Sequence, residues 1–410
     1  MTLREVWEAY AGKGLSRFHM PGHKGVLPPP FAGAARIDLT ELDGTGDLYF
    51  ERDGAIRQSE RGMAALFGAE DCFYLTGGAT QGIFAMLAAV TGPGDTVHLW
   101  RGCHRSVTNA LALLDLRPAW FWDAPEGVTA PVLYTSPDYY GKLYPRPKTE
   151  GPVLCDAAHG AHLPFCLTPY APPGNLWVTS AHKTLNALGQ TALLLSDGSA
   201  DPDGLREQTA VFGTASPSFA LLASLDAARA ELAANGALSW ARVAAFTKKL
   251  ARDSRVFVDD PAKAVVTTGD GTGDARRFAE EFSVVCETAD RDRMVFMLSP
   301  NNTDGDFSRL EKALSSVPAR GARARGPDKW DFPEAVMTPR EAFFAPRERV
   351  PLRDAVGRIA ARAAAPSPPG VPFAAPGELL GKKTLDIAAE MCYTGEEPIW
   401  VVRNGGHRTF

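Results

Sequence analysis

From about Ile56 to Leu195 the sequence keeps switching between two hydrophobic periods, and this alternation leaves few architectures open. "QSERGMAALFG" has the spacing of a helix that closes on Gly68, "CFYLTGG" that of a short strand, and "TQGIFAMLAAV" that of a buried helix. "DTVHLW" and "RPAWFW" read as strands on either side of a helix in "HRSVTNALALL". "APVLYTS", "GPVLCDAAHG" and "LWVTSAHK" each read as a strand running into a loop. Such alternation predicts a mainly parallel sheet covered by helices. Ligands of these sheets bind beyond the carboxyl ends of the strands, so the loops there are where chemistry is expected.

Beyond Lys183 the pattern changes. "SPSFALLASLDAARAELAANG" predicts a long helix ending at Gly236, a route between domains. The stretch from Lys263 to Val317 reads strand, helix, strand, strand, helix, a smaller α/β unit. "VPARGARARGPDKW" reads as a basic loop, and the proline-rich "AAAPSPPGVPFAAPGE" as an ordered, irregular segment. The expected division is an N-terminal segment over 1–50, a large domain over 51–240 and a small C-terminal domain over 241–410.

With 410 residues, 45% of them hydrophobic, the chain has material for a large core and a second domain. A net charge of -5 and scattered basic residues give no footprint for nucleic acid. The first residues, "MTLREVWEAYAGKG", mix charges into their apolar positions, and no later stretch is long and apolar enough for a membrane span. A cytoplasmic protein without a membrane partner is expected. Six cysteines without a C-x-x-C pair predict neither disulfides nor a zinc site.

Four features arrive in order at strand ends. In "YLTGGATQGIF", a glycine turn feeds a helix, and N–H groups near Ala79 and Thr80 suit a phosphate; a plain strand-to-helix turn is the simpler reading. In "WRGCHRSV", His104 is either a ring that stacks on a flat ligand or a helix-start residue bonded to backbone. In "GPVLCDAAHGAHLPF", Asp156 follows an apolar strand, where a carboxylate is costly without a cation. His159 and His162 in that loop invite a metal reading but lack a further ligand, so no metal is expected. In "LWVTSAHKTLNALGQTALLL", Lys183 lies between two apolar runs; taken alone it reads as a surface residue at a helix start, whereas a buried lysine, its neutral form favoured, attacks carbonyls. Together, a phosphate cradle, a stacking ring, an acid and a lysine meet the requirements of pyridoxal 5'-phosphate (PLP), with Lys183 holding the aldehyde and Asp156 the pyridine nitrogen.

These blocks resemble the Orn/Lys/Arg decarboxylase family of fold-type-I PLP enzymes, in its short bacterial form. "FHMPGHKG", "DLTELDGTGDL", "LTGGATQG", "RGCHRSV", "DAAHGAHLPF", "SAHKTLNALGQT", "TASPSFALLASLDAAR" and "PPGVPFAAPGE" carry the resemblance, in the family's order over nearly the whole chain. It implies an α/β fold with a seven-stranded-type, mainly parallel sheet in the large domain. It further implies Lys183 as the Schiff-base lysine, Asp156 on the pyridine nitrogen and His104 as the stacking ring. Ala79 and Thr80 hold phosphate, with Ala158, Ser180 and His182 as further cofactor contacts. Thr214 and Ser216 reach the neighbouring subunit's phosphate, which implies a homodimer with shared active sites. His159 or His182 supplies the proton that replaces CO₂. Ala157, Gly189 and Ser367 depart from the family's usual residues.

The implied reaction is α-decarboxylation of arginine, lysine or ornithine to the amine. Glu378 is the candidate partner for the substrate's distal cation. The same residues leave two alternatives: an aminotransferase or lyase on the same fold, with Arg340, Arg347, Arg353 or Arg358 for the substrate carboxylate, and a non-catalytic descendant.

Overall fold

The computed structural model describes residues 2–167, 169–317, 329–366 and 370–403. Most of the basic loop expected between Val317 and Trp330, and Ser367, lie outside the described residues. All the strands expected between Ile56 and Leu195 are present: β1 (Asp71–Leu75), β2 (Thr96–Trp100), β3 (Arg117–Phe121), β4 (Val132–Thr135), β5 (Val153–Asp156) and β6 (Leu176–Thr179). A further strand, β7 (Ala192–Ser196), follows Lys183. Two compact units arise, each from two stretches of chain: residues 1–89 with 154–242, and residues 90–153 with 243–410.

In the first unit the strand order is β1-β7-β6-β5, with β5 and β6 parallel and β7 antiparallel to both β6 and β1. β6 and β7 are buried along their whole length, which explains why they read as unbroken apolar runs rather than alternating ones. The helix Ala55–Phe67 stops where predicted, at Gly68, whose φ of 62° is the left-handed conformation that glycine adopts without steric cost. The helix Gly78–Val90 lies so close to the sheet that a Cβ added at Gly82 would fall 2.5 Å from Val178 Cγ2 and 2.8 Å from Leu75 Cδ1. Gly82→Ala is therefore expected to destabilise the fold by about 1–3 kcal/mol, the range for overpacked cores, read as a lowered urea midpoint.

The long helix does not end at Gly236. It runs from Phe219 to Leu250, 32 residues. A glycine inside a helix costs only about 1 kcal/mol relative to alanine, and here its missing side chain serves packing, since a Cβ at Gly236 would stand 2.9 Å from the Phe165 ring. Near the start of the chain, the helix Leu3–Ala11 is opened by a Thr2–Glu5 capping box. Its Trp7, fully buried, donates from Nε1 to the Thr45 carbonyl at 2.8 Å.

The second unit holds β4-β2-β3, all parallel. It also holds an antiparallel sheet of β8 (Val256–Phe257), β9 (Lys263–Thr267), β10 (Thr288–Ala289) and β11 (Arg293–Met297), in the order β10-β11-β9-β8. With the helices Gly271–Phe282 and Asp304–Ser315, this reproduces the strand, helix, strand, strand, helix order read from the sequence. A last antiparallel pair, β12 (Arg347–Pro351) with β13 (Pro398–Val402), had no sequence counterpart.

After β4 the chain turns around Asp138, which is 3% exposed. Its carboxylate accepts the Lys142 N–H at 2.8 Å and the Tyr144 hydroxyl at 3.2 Å, and Lys263 Nζ donates to its carbonyl at 3.0 Å. Burial pushes the Asp138 carboxyl up to about 6, against the pull of the Lys142 N–H, the Lys263 charge and the Tyr144 hydroxyl. The native state thus keeps this proton over a pH range in which the unfolded chain, with a carboxyl near 3.9, has lost it. The group's contribution to stability accordingly falls as pH rises from about 4 to about 6 and is level above that. Asp138→Asn is expected to flatten that part of the profile, checked by chemical denaturation across the same range.

Candidate active site

Parallel pairing of β5 with β6 sets Asp156 opposite Val178 and carries both loops out at the same end. The pairing continues past the strands: Ala157 donates its N–H to the Val178 carbonyl at 2.9 Å, and Ser180 donates to Ala158 at 3.1 Å. The short helix Ala181–Thr184 starts at Ser180 and delivers His182 and Lys183. Lys183 Nζ reaches His159 Nε2 at 2.9 Å. Asp156, Ala158, His159, Ser180, His182 and Lys183 are therefore gathered by one stretch of backbone ladder.

The environments differ from one another. Asp156 is 2% exposed and accepts the Ala158 N–H at 3.1 Å. Burial holds its carboxyl above the usual range, while the Lys183 charge and the Ala158 N–H draw it down. Lys183 itself is exposed within a short helix, so the surface reading of this lysine holds and the buried one does not. His182 places Nδ1 at 2.8 Å from the Thr191 carbonyl, an acceptor that fixes a proton on Nδ1 and leaves Nε2 as the other face of the ring. His162, the other histidine of that loop, is buried against Trp240, with ring centroids 4.8 Å apart.

Ala79 and Thr80 lie in the first turn of the helix Gly78–Val90, where backbone N–H groups lack intrahelical acceptors. Gly78 takes a φ of 71°, and Gln81 braces the turn by accepting the Gly77 N–H at 2.8 Å and donating to the Thr209 carbonyl at 2.7 Å. Thr214 and Ser216 are exposed and joined by a 3.3 Å bond from the Ser216 N–H to Thr214 Oγ1. Sequence reasoning missed Gln81 and the hydroxyls of Thr76 and Thr179. Both hydroxyls are buried directly after or at the end of a strand and have no hydrogen-bond partner among the described residues. The available signal was a threonine closing each apolar strand.

His104 and Glu378 belong to the second unit. His104 caps the helix Arg105–Leu114: its Nδ1 accepts the Ser106 N–H at 3.2 Å and meets Ser106 Oγ at 2.8 Å. A Cβ at Gly370 would lie 2.7 Å from this ring, so the glycine permits the proline-rich segment to close on it. Glu378 grips Arg101 with both oxygens, at 2.8 and 2.9 Å, with the two side chains 2% and 1% exposed. The Ala375 N–H also donates to it at 2.7 Å. Its charge is thus already matched inside the fold, and Arg101 was not anticipated.

Among the described residues no group of three or more His, Cys, Asp or Glu side chains could hold a metal ion, and no helix is long and apolar enough to cross a membrane.

The family described as Orn/Lys/Arg decarboxylase, major domain, matches residues 3–134 and 147–269, and the family's C-terminal domain matches residues 327–392. The arginine decarboxylase of Bacillus subtilis (strain 168) is 27% identical over 92% of this chain and 90% of its own length. The solved constitutive lysine decarboxylase of E. coli superposes with a TM-score of 0.78 at 19% identity, covering 98% of this chain and 82% of that one. A structure of SPT with PLP matches at a TM-score of 0.50 and 13% identity over 64% of this chain and 75% of its own, a likeness of fold alone. The chain belongs to the Orn/Lys/Arg decarboxylase family, amino-acid decarboxylases built on the fold-type-I α/β scaffold.

Proposed function

We propose that this chain removes the α-carboxylate of a basic amino acid (arginine, lysine or ornithine), with pyridoxal 5'-phosphate as cofactor. The observation that carries the reading is the amine of Lys183 at 2.9 Å from His159 Nε2, beside a buried Asp156 whose carboxyl responds to that amine's charge. When bound, the cofactor supplies an electron sink for the pair left at the α-carbon as CO₂ departs.

The residues present fit that group. Nζ of Lys183 would hold its aldehyde, and His159 is placed to accept or return a proton at that nitrogen. A carboxylate buried as Asp156 is stabilised by a cation, and the protonated pyridine nitrogen is one. The first-turn N–H groups around Ala79 and Thr80 would face the phosphate, with the buried Thr76 and Thr179 hydroxyls and Ala158 and Ser180 as further contacts. His104, held by Ser106, offers a ring for stacking. The proton for the carbon that loses CO₂ is assigned to His159 or to His182, whose Nδ1 is fixed on Thr191.

The aminotransferase alternative needs a late arginine for the substrate carboxylate, and the four candidates are engaged otherwise. Arg340 donates to the Ala112 and Leu113 carbonyls, Arg347 stacks on Trp400, Arg353 pairs with Glu396, and Arg358 pairs with Glu348 and the Val402 carbonyl. In this proposal the protein works as a cytoplasmic homodimer with shared active sites, in polyamine formation. Exposed Phe18, Met20, Val26 and Phe31, 58–95% accessible, give the N-terminal segment an apolar surface suited to a second copy. The domain division into 1–50, 51–240 and 241–410 belongs to the same proposal.

The test is a panel of arginine, lysine and ornithine given to PLP-loaded protein, with amines separated chromatographically. Release of the matching amine and CO₂ from one of them is expected. Production of pyridoxamine phosphate with a keto-acid acceptor, and no CO₂, would overturn the reading.

A further inference from the structure

Between β1 and the body of the helix Gly78–Val90 the chain reads Thr76-Gly77-Gly78-Ala79-Thr80, and from Gly77 to Thr80 only the last residue carries a side-chain donor. An anion at this helix start is therefore gripped mainly by backbone N–H groups. Their directions depend on two glycines, the residue type with the most conformational freedom to lose, and Gly78 takes a left-handed φ of 71°. A turn of this composition grips phosphate poorly unless something outside it fixes its shape, since otherwise each binding event has to supply the ordering.

Gln81 is placed to fix it. The side chain is 3% exposed and its amide is used at both ends: Oε1 accepts the Gly77 N–H at 2.8 Å, and Nε2 donates to the Thr209 carbonyl at 2.7 Å. The first bond is of the kind a capping box makes. The second spans 128 positions and has no such local origin. Thr209 lies in the helix Pro202–Val211, three positions after Arg206, whose guanidinium stands 4.6 Å from the Phe73 ring centroid and donates to Glu60 at 3.1 Å. Phe73 belongs to β1, the strand that feeds the turn. Strand, turn, Gln81 and helix thus form a closed circuit of contacts inside one compact unit. Two glycines leave room for the amide: a Cβ at Gly77 would stand 2.8 Å from Gln81 Oε1, and one at Gly213 would stand 2.7 Å from Gln81 Nε2 and 2.8 Å from the Thr209 carbonyl oxygen. Thr76, directly before the turn, is 4% exposed, and its hydroxyl has no hydrogen-bond partner among the described residues, so an oxyanion at the turn would give it one.

We propose that Gln81 is a positioning residue for the cofactor's phosphate: it touches no reacting atom but holds the turn at Gly77 and Gly78 in the shape whose N–H groups receive the anion, before the anion arrives. That the anion is the phosphate of pyridoxal 5'-phosphate rests on the decarboxylase reading. The consequence is selective. Breaking the brace weakens what the phosphate adds to binding and spares what Lys183 and Asp156 add, because β5 and the short helix Ala181–Thr184 carry those side chains.

The test compares PLP with pyridoxal, the same aldehyde without the phosphate. Each is titrated into full-length protein freed of cofactor and followed by the visible absorbance of the covalently held ring, with Lys183→Ala protein as the blank for other lysines. Gln81→Met keeps the length of the side chain and removes both bonds. In it the dissociation constant of PLP is expected to rise about tenfold, the worth of roughly one hydrogen bond, while that of pyridoxal stays at the wild-type value. Gly213→Ala strikes the same brace from its far end and is expected to give the same split, so it carries the test if Gln81→Met does not fold. Equal losses for the two aldehydes would reduce Gln81 to a general support of the fold, and an unchanged PLP constant would free the turn from it; either result overturns the proposal. Absence of visible absorbance from wild-type protein with both aldehydes would instead remove the cofactor reading itself, and the proposal with it.

Discussion

Lys183→Ala protein mixed with pyridoxal 5'-phosphate is expected to lose the visible absorbance of covalently held cofactor, and turnover should fall by about 10³-fold or more, some 4 kcal/mol in barrier. Nζ lies at 2.9 Å from His159 Nε2, and the short helix Ala181–Thr184 that carries it is tied to β5 and β6 by backbone bonds that alanine leaves intact. The fold should survive, as the lysine is exposed and alanine is a good helix former. Circular dichroism and absorbance on the same sample check both statements. Full absorbance and activity in the alanine variant would mean that the covalent anchor lies elsewhere. His159→Ala probes the same nitrogen from its other side and should lower turnover with the cofactor still attached.

A second large effect is expected at the Arg101–Glu378 pair. Removing one partner of a buried ion pair leaves an uncompensated charge, so Glu378→Ala should destabilise the protein by about 3–5 kcal/mol. The pair is bidentate, both side chains are almost fully excluded from solvent, and Arg101 also stacks 4.7 Å over Trp120 and donates to the Phe373 carbonyl at 3.3 Å. Replacing both partners together, as Arg101→Met with Glu378→Leu, should recover much of the loss, because neither charge is then stranded. Urea denaturation of the two singles and the double measures this as a cycle. Had Glu378 been free to meet a substrate's distal cation, its alanine variant would fold normally and show only a raised KM. That result would reverse the structural role given to it here.

Much of the scaffold was legible because its signals are short-ranged. The strands β1 to β6 and the helices between them follow from period and from capping residues such as Gly68, within windows of a dozen residues. The cluster at the strand ends was legible for the same reason: in an α/β sheet, chain order alone sends Asp156 and Lys183 to the carboxyl ends of β5 and β6. The errors arose where distant packing outweighed a local preference. Gly236 reads as a stop, yet the helix continues because the glycine meets Phe165. Lys183 lies between apolar runs that belong to the buried strands β6 and β7, yet is itself exposed, and local pattern alone left both readings of it open.

Local pattern by itself determined the β/α alternation, the end of the sheet at which chemistry gathers and the identity of the lysine and acid there, since these depend on residues within one element or its loop. Only the tertiary structure decided that Glu378 is bound to Arg101, 277 positions away, and that Lys183 faces His159, 24 positions before it. It also decided that the amide of Gln81 ends on the Thr209 carbonyl, 128 positions further on. The physical reason is that a charge's cost depends on what surrounds it in space, and sequence spacing carries no record of partners brought together by the closing of the fold.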